Sequence, residues 1–333
     1  MKKKFDFDIV SKKKLFITIP SALLAALVIF TVIFGAVVSI EFTGGTILTY
    51  VYHGELNANT VKTEVDALNL GNSAITTGEL RTDKVEVETD AGLSSDVKTL
   101  TITFSASDGL SNEQQDVITT MLLEKFTGNI RAEYYEDGMR REQPMQNQSV
   151  SPSTGTRFFL KCLVAFVFAF IMFIIYIAFR FKKLGGWSTG MFALIGLFVD
   201  VMVVVAVFVF FRLPIDSIFM AVVLAIMGYS INNTIILYDR VRENKTLHGT
   251  RLTGRELVNL SVRQSLTRTI NTTVTTAAAL VVLSIVAYIF GVGTILNFAF
   301  PMLIGLISGV YTTLCLSGTF WVMWQERKLT KKA

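Results

Sequence analysis

One acidic residue, Asp200, lies deep inside a long apolar segment, with no other charged residue for more than ten positions on either side. An ionisable side chain at such a place is costly and is a functional candidate by default. Its carboxyl group could gain and lose a proton within an apolar layer. It could equally be a neutral or hydrogen-bonded acid that pairs with a polar residue of a neighbouring helix. The residues leave both interpretations open.

A second apolar segment carries several amide and hydroxyl groups within five positions, namely Ser230, Asn232, Asn233 and Thr234. Oxygen groups of this kind can coordinate sodium, although such a site would lack a neutralising carboxylate. Asp239 and Arg240 follow where the apolar segment ends. For this charged pair we favour an ion-paired helix boundary over a role in ion coupling.

A third polar cluster opens the next apolar segment and contains Arg268 and Asn271. The arginine could pair with an acid or extend its long side chain to the membrane surface. Because lipid cannot satisfy polar groups whereas a partner helix can, we predict that helices at about 217–238 and 269–290 lie side by side. The side chains expected to face their shared interior are Ser230, Asn233, Arg268 and Asn271.

These residues belong to a chain of 333 residues that is 51% hydrophobic and 17% charged, with a mean hydropathy of +0.52. Soluble domains usually contain about 25% charged residues. Six apolar runs reach the roughly 20 residues that a bilayer-spanning helix needs, at about 15–40, 158–179, 187–211, 217–238, 269–290 and 293–324. We therefore predict an α-helical polytopic membrane protein. Its predicted parts are an N-terminus (1–14), a first helix (15–40), a polar insert (41–156), a five-helix domain (157–324) and a basic tail (325–333).

The distribution of charge predicts the orientation. Twenty Lys and Arg residues fall on one side of a six-helix arrangement, and the opposite short loops contain only Arg212. By the positive-inside rule, the basic side with both termini is cytoplasmic. The first apolar run is too long for a signal peptide and lacks a cleavage site of small residues, so we interpret it as an uncleaved anchor.

The insert, residues 41–156, then faces outward, and its 18 acidic and 8 basic residues argue against binding to nucleic acid or to anionic lipid. Apolar periodicity predicts a β-α-β-β-α-β order, which is typical of a ferredoxin-like α+β domain. The elements in that order are Thr46–Tyr52, Asn57–Leu68, Lys84–Glu88, Val97–Phe104, Ser111–Phe126 and Ile130–Tyr135. Residues 137–156 are predicted to be a polar linker back to the membrane.

The chain shows no pattern typical of an enzyme, a metal site or a cofactor site. Its two cysteines, Cys162 and Cys315, lie in apolar runs, and its two histidines, His53 and His248, are far apart. Neither spacing indicates a disulfide framework or a zinc site. No nucleophile–base pair is recognisable in the insert, so we expect neither catalysis nor a bound cofactor.

Three motifs in this order resemble the SecF family, the membrane subunits of the bacterial SecDF complex. The first is Ile40–Thr46, a turn motif with Glu41, Gly44 and Gly45. The second is Gly228–Thr234 with Tyr238–Asn244 behind it, and the third is Gln264–Thr273. The resemblance covers almost the whole chain and implies one half of an RND-like transporter fold.

The resemblance also implies a function and partners. A SecF subunit pairs with SecD into a twelve-helix unit in the bacterial cytoplasmic membrane. Beside the SecYEG channel, that unit uses the proton-motive force to help pull preproteins outward. Two alternatives remain: an ion-coupled exporter of small or lipid molecules, which would normally need two such halves, and a structural partner whose polar residues only hold helices together.

Two positions depart from the family motifs. Glu41 replaces an aspartate and keeps its charge, whereas Asn233 replaces the aspartate that is the family's candidate proton carrier. An amide cannot exchange a proton at physiological pH. We therefore rank proton coupling through the partner first, coupling through Asp200 second and sodium coupling third.

Overall fold

A computed structural model describes residues 13–71, 73–79, 85–89, 92–94, 96–104, 110–248 and 251–330. The chain divides into two units, which we describe separately. A helical unit takes in the described residues up to 37, residues 163–285 and those from 294 onward. A second unit, residues 38–162 with 286–293, contains all the described strands.

The helices are α1 (Lys13–Phe34), α2 (Ile40–Thr43), α3 (Ala58–Asp66), α4 (Asn112–Lys125), α5 (Pro152–Arg180), α6 (Gly186–Phe210), α7 (Ser217–His248), α8 (Gly254–Ile289), α9 (Gly293–Tyr311) and α10 (Gly318–Thr330). A 3₁₀ turn (Lys182–Leu184) links α5 to α6, and a π-helical turn (Thr312–Ser317) links α9 to α10. The strands are β1 (Gly45–His53), β2 (Ser73–Glu79), β3 (Val85–Thr89), β4 (Gly92–Ser94), β5 (Val97–Phe104), β6 (Glu133–Glu136), β7 (Met139–Glu142) and β8 (Gln146–Val150).

The predicted six membrane helices are confirmed within the described residues. Helices α1, α5, α6, α7 and α8 are each long and apolar enough to cross a bilayer, and α9 with α10 forms the sixth, Gly293–Glu326. Two of them continue further toward the basic side than expected. Helix α7 runs to His248 and α8 begins at Gly254, so most of the basic loop expected between them is helical.

Helix α6 lies at the centre of the helical unit, because other membrane helices pack against more than one of its faces. Its Val204 and Phe208 pack with Ile226 of α7 and Leu306 of α9 in one buried cluster. On another side, α6 contacts Leu27 of α1. In contrast, only 11% of the most apolar stretch of α1, of α5 and of α8 is buried within the chain. The outer faces of these three helices are therefore available to lipid or to a partner.

The predicted ferredoxin-like arrangement is confirmed. Strands β1, β2, β5 and β8 form an antiparallel sheet in the order β2-β5-β1-β8, and the chain reaches them in the order β-α-β-β-α-β through α3 and α4. Helix α3 contributes Val61 and α4 contributes Ile118 and Leu122 to a core shared with Leu48 and Ile102 of the sheet.

Two of the predicted strands are present but belong to a different sheet. The segment at 84–88 and the segment at 130–135 instead correspond to β3 and β6, which pair in a second sheet ordered β4-β3-β6-β7. Their apolar residues Val85, Val87 and Tyr134 fill a small core of their own. The apolar residues of these strands are buried as predicted, but in the core of the second sheet rather than in that of the first.

Strands β2 and β8 occupy the places in the first sheet that were predicted for the segments at 84–88 and 130–135. Because β8 lies within residues 137–156, the prediction of a linker there is wrong. Strand β8 is polar except for its last residue, and it adds to the edge of β1 by backbone pairing, from Gly45 with Val150 to Thr49 with Gln146. Helix α5 already begins at Pro152. Backbone hydrogen bonds do not depend on side-chain hydrophobicity, so the pattern of apolar residues could not reveal this strand.

The glycine motif forms a tight junction between α2 and β1, as its sequence predicts. Gly44 and Gly45 adopt φ angles of +80° and +141°, which favour glycine. A side chain on Gly45 would place its Cβ 2.2 Å from the backbone oxygen of Phe104. The carboxylate-bearing Glu41 lies in the single turn of α2, which Ser39 caps through the backbone N–H of Glu41 at 3.3 Å.

Replacing Gly45 with alanine should therefore destabilise the insert domain by about 3 kcal/mol, since it combines an unfavourable φ with a backbone clash. Hydrogen exchange of the β1 and β5 amides in the full-length protein measures this loss. Gly92→Ala is the matched control, because Gly92 has a φ of +114° but no heavy atom near the added Cβ. Equal losses of protection in the two variants would show that the clash contributes nothing.

Candidate functional site in the membrane helices

The carboxylate of Asp200 is the centre of a buried polar cluster where α6, α7 and α9 meet. Its exposed fraction is 0%, and it accepts hydrogen bonds from three hydroxyl groups. Ser230 of α7 donates at 2.5 Å and Ser308 of α9 at 2.8 Å. Thr312 lies 2.9 Å and 2.8 Å from the two carboxylate oxygens. Three membrane helices therefore converge on one acid.

Small residues and a change of helix type bring the last membrane helix close to this acid. Thr312 begins the π-helical turn between α9 and α10, and such turns are frequent at functional sites. A Cβ on Gly309 would lie 3.8 Å from the Asp200 carboxylate, and one on Gly196 would lie 2.7 Å from the hydroxyl of Ser317. A Cβ would thus be in ordinary van der Waals contact at Gly309, whereas at Gly196 the Ser317 hydroxyl would have to move.

The surroundings of Asp200 suit a group that exchanges a proton. No Lys or Arg among the described residues lies within ion-pair distance of it, and each of its three hydrogen-bond partners is a hydroxyl, which can both donate and accept. The direct oxygen–oxygen distances of 2.5–2.9 Å are those of hydrogen bonds.

Asn233, which stands where the family motif has an acid, is also buried. Only 1% of it is exposed, and neither its amide oxygen nor its amide nitrogen has a hydrogen-bond partner within the described part of the chain. Thr234 beside it contacts Thr313 at 3.3 Å. Asn232 points to the exposed side of α7. A buried amide without a hydrogen-bond partner costs free energy of folding, so Asn233 lowers the stability of the folded chain.

Helices α7 and α8 contact each other, but the predicted shared interior of four side chains is wrong within this chain. Ser230 and Asn233 are buried, whereas Arg268 and Asn271 of α8 are exposed. The contact uses other residues: the hydroxyl of Tyr229 lies 2.8 Å from that of Thr273.

The inward face of α8 consists of residues at a spacing of four that the prediction overlooked: Ser261, Ser265, Thr269 and Thr273. Nearer the basic end, Asn244 donates to Ser261 at 2.9 Å and to Gln264 at 2.8 Å. Residues four apart on a helix share a face, so this spacing was a usable signal. Arg268 and Asn271 do not belong to the series and therefore lie on other sides of the helix.

Asp239 and Arg240 form ion pairs at the end of the membrane segment. Asp239 is 2.9 Å from Arg180 at the end of α5 and 2.9 Å from Arg242 one turn further along α7. Arg240 pairs with Glu243 at 2.7 Å. All of these side chains are about a third or more exposed, so the contacts are those of an ion-paired boundary rather than of a buried relay. The sequence had not indicated Arg180 as the partner.

Comparison with protein families places these features in context. The model of the family described as "Protein export membrane protein SecD/SecF, C-terminal" matches residues 132–327. The protein translocase subunit SecF of Acidaminococcus fermentans is 30% identical, over 96% of this chain and 98% of its own length. That of Alicyclobacillus acidocaldarius is 29% identical, over 98% and 95%. The SecDF subunit of Bacillus subtilis is 38% identical over 55% of this chain and 24% of its own length.

Solved structures show the same fold. A crystal structure of SecDF, a translocon-associated membrane protein from Thermus thermophilus, matches with a TM-score of 0.75 at 22% identity. SecDF in a super-membrane-facing form matches with a TM-score of 0.64. Each alignment covers 98% of this chain but 40% of the solved chain. The six-helix arrangement with its inserted α+β domain thus corresponds to less than half of those chains.

Proposed function

Because this chain belongs to the family of SecD/SecF protein export membrane proteins, we propose that it is the SecF-type subunit that assists preprotein export with SecD beside the SecYEG channel. The observation that carries this proposal is the nearly full-length match to SecF subunits in both directions. The six-helix fold supports it, since it matches part of a solved SecDF chain.

The proton-motive force is the proposed energy source. We now rank Asp200 ahead of the partner as the proton-exchanging group, because three hydroxyls surround its buried carboxylate. Asn233 cannot serve, because its amide does not titrate in the physiological range. Asp200 is buried at the junction of three membrane helices and is held only by hydroxyl groups. Gain of a proton would change how these hydroxyls are shared, and so could alter the packing of the three helices.

The proposed contact with SecD lies on the exposed side of α8. A membrane helix that faced only lipid would not carry exposed polar groups. Helix α8 carries two exposed polar side chains where its apolar segment begins, Arg268 and Asn271. A partner helix with an acidic residue would satisfy the arginine.

The proposed orientation places both termini and the ion pairs around Asp239 in the cytoplasm. The acidic insert domain then faces outward, on the side where exported chains emerge. The excess of basic residues on one side supports this orientation.

Membrane vesicles that export a preprotein test the proposed function. Vesicles lacking this chain should retain ATP-driven translocation but lose the additional translocation that a proton gradient drives. Adding a proton ionophore provides the comparison, and restoring the chain should restore the ionophore-sensitive part. Equal ionophore sensitivity with and without the chain would contradict the proposal.

A further inference from the structure

A surface cleft opens where α5 ends and α6 begins. Its volume is about 320 Å³, and it is lined by Ala178, Phe179, Lys182, Gly185, Gly186 and Trp187. The helices on either side are both membrane-spanning candidates. Helix α5 ends at Arg180, and α6 begins at Gly186. The cleft therefore lies at the boundary between the apolar layer and water.

Two glycines keep this cleft open. Gly185 ends the 3₁₀ turn in the left-handed conformation, with a φ of +93°. At Gly186 an added Cβ would lie 2.2 Å from the backbone oxygen of Ala178, so the start of α6 packs directly on the last turns of α5. The two helix ends form the walls, and no side chain from either glycine fills the space between them.

The cleft carries a positive charge without an acidic partner. The Lys182 ammonium lies 4.8 Å from the ring centroid of Phe179, and no carboxylate of the described residues pairs with it. The neighbouring Arg180 differs, because it is bound to Asp239. The first turn of α6 also contains no acidic residue.

Two large aromatic side chains flank this charge and are exposed. Trp187 is 70% exposed and Phe179 is 66% exposed. Tryptophan is enriched at membrane–water interfaces because its ring is apolar and its N–H is polar. A lysine between exposed aromatic residues at this depth matches a lipid with an anionic headgroup and apolar chains.

We propose that this cleft binds one anionic phospholipid. Lys182 holds the phosphate, and the acyl chains lie along Phe179 and Trp187. An anionic lipid is favoured over a zwitterionic one because the lysine charge is not neutralised by the protein. This inference goes beyond the export function and does not depend on it.

Native mass spectrometry of the purified full-length protein in detergent tests the proposal, with phosphatidylglycerol and phosphatidylcholine titrated separately. The wild-type protein should retain the first phosphatidylglycerol at lower lipid concentration than phosphatidylcholine. Lys182→Gln should weaken this binding about fivefold, the amount that one lysine near an anionic surface contributes. Lys182→Arg should restore it, since it keeps the charge. Lys161→Gln is the matched control, because this exposed lysine lies near the other end of α5.

Unchanged phosphatidylglycerol binding in Lys182→Gln would overturn the proposal. The same holds for equal affinity of the wild-type protein for the two lipids, or an equal loss in Lys161→Gln. Displacement of the lipid by millimolar inorganic phosphate would assign the cleft to a free anion and would also overturn it.

Discussion

Replacing Asp200 with asparagine is expected to abolish the proton-driven part of preprotein export while the protein still assembles in the membrane. Asparagine has nearly the same shape, and its amide can hydrogen-bond to the hydroxyls of Ser230, Ser308 and Thr312. It cannot exchange a proton. The variant therefore removes only the chemistry that the site is proposed to perform.

Ionophore-sensitive translocation in membrane vesicles measures this effect, with membrane content of the protein as the check on assembly. Asp239→Asn is the matched control, because that acid forms exposed ion pairs at the helix boundary and should be dispensable for coupling. Full ionophore-sensitive export by Asp200→Asn, together with an essential intramembrane aspartate in SecD, would place the proton path in the partner. Restoring the family acid with Asn233→Asp should leave export intact.

Reversing the charge of Arg268 is expected to separate this chain from SecD. The arginine is exposed on α8 where the apolar segment of this helix begins, and an acidic partner there would be repelled by Arg268→Glu. Like charges across an interface cost several kcal/mol, so association should weaken by about tenfold or more. Co-purification of the two subunits from membranes measures the change.

Arg263→Glu is the control for this prediction. It makes the same charge reversal at an exposed position of the same helix, but five residues earlier and so on a different side. It should leave recovery of SecD unchanged. Undiminished recovery of SecD with Arg268→Glu would show that the partner binds elsewhere.

The membrane helices could be predicted because the bilayer leaves few alternatives. An apolar run of sufficient length must form a helix there, since every backbone group has to be satisfied internally. The same reasoning selected Asp200 and Asn233, because polar side chains in apolar runs are recognisable from type and position alone. Both are buried in the folded chain. The glycine turn at Gly44 and Gly45 was likewise readable from residue type.

In the insert domain, the pattern of apolar residues did not predict which strands pair with one another. Alternating apolar residues correctly indicated a strand at 84–88, which is observed as β3 (Val85–Thr89), but not which of two sheets it joins. Strand β8 carries no apolar pattern and was interpreted as a linker, although it completes the sheet by backbone pairing with β1.

Thus the amino-acid sequence by itself determined the membrane class, the number of spanning helices, the family motifs and the identity of the buried acid. Only the tertiary structure decided that Ser308 and Thr312, more than a hundred positions away, donate to Asp200. It also decided that Arg268 faces outward. The physical reason is that hydrophobicity is a property of each residue, whereas a hydrogen bond between helices depends on how each helix is rotated about its axis. That rotation is set by packing against all of its neighbours at once.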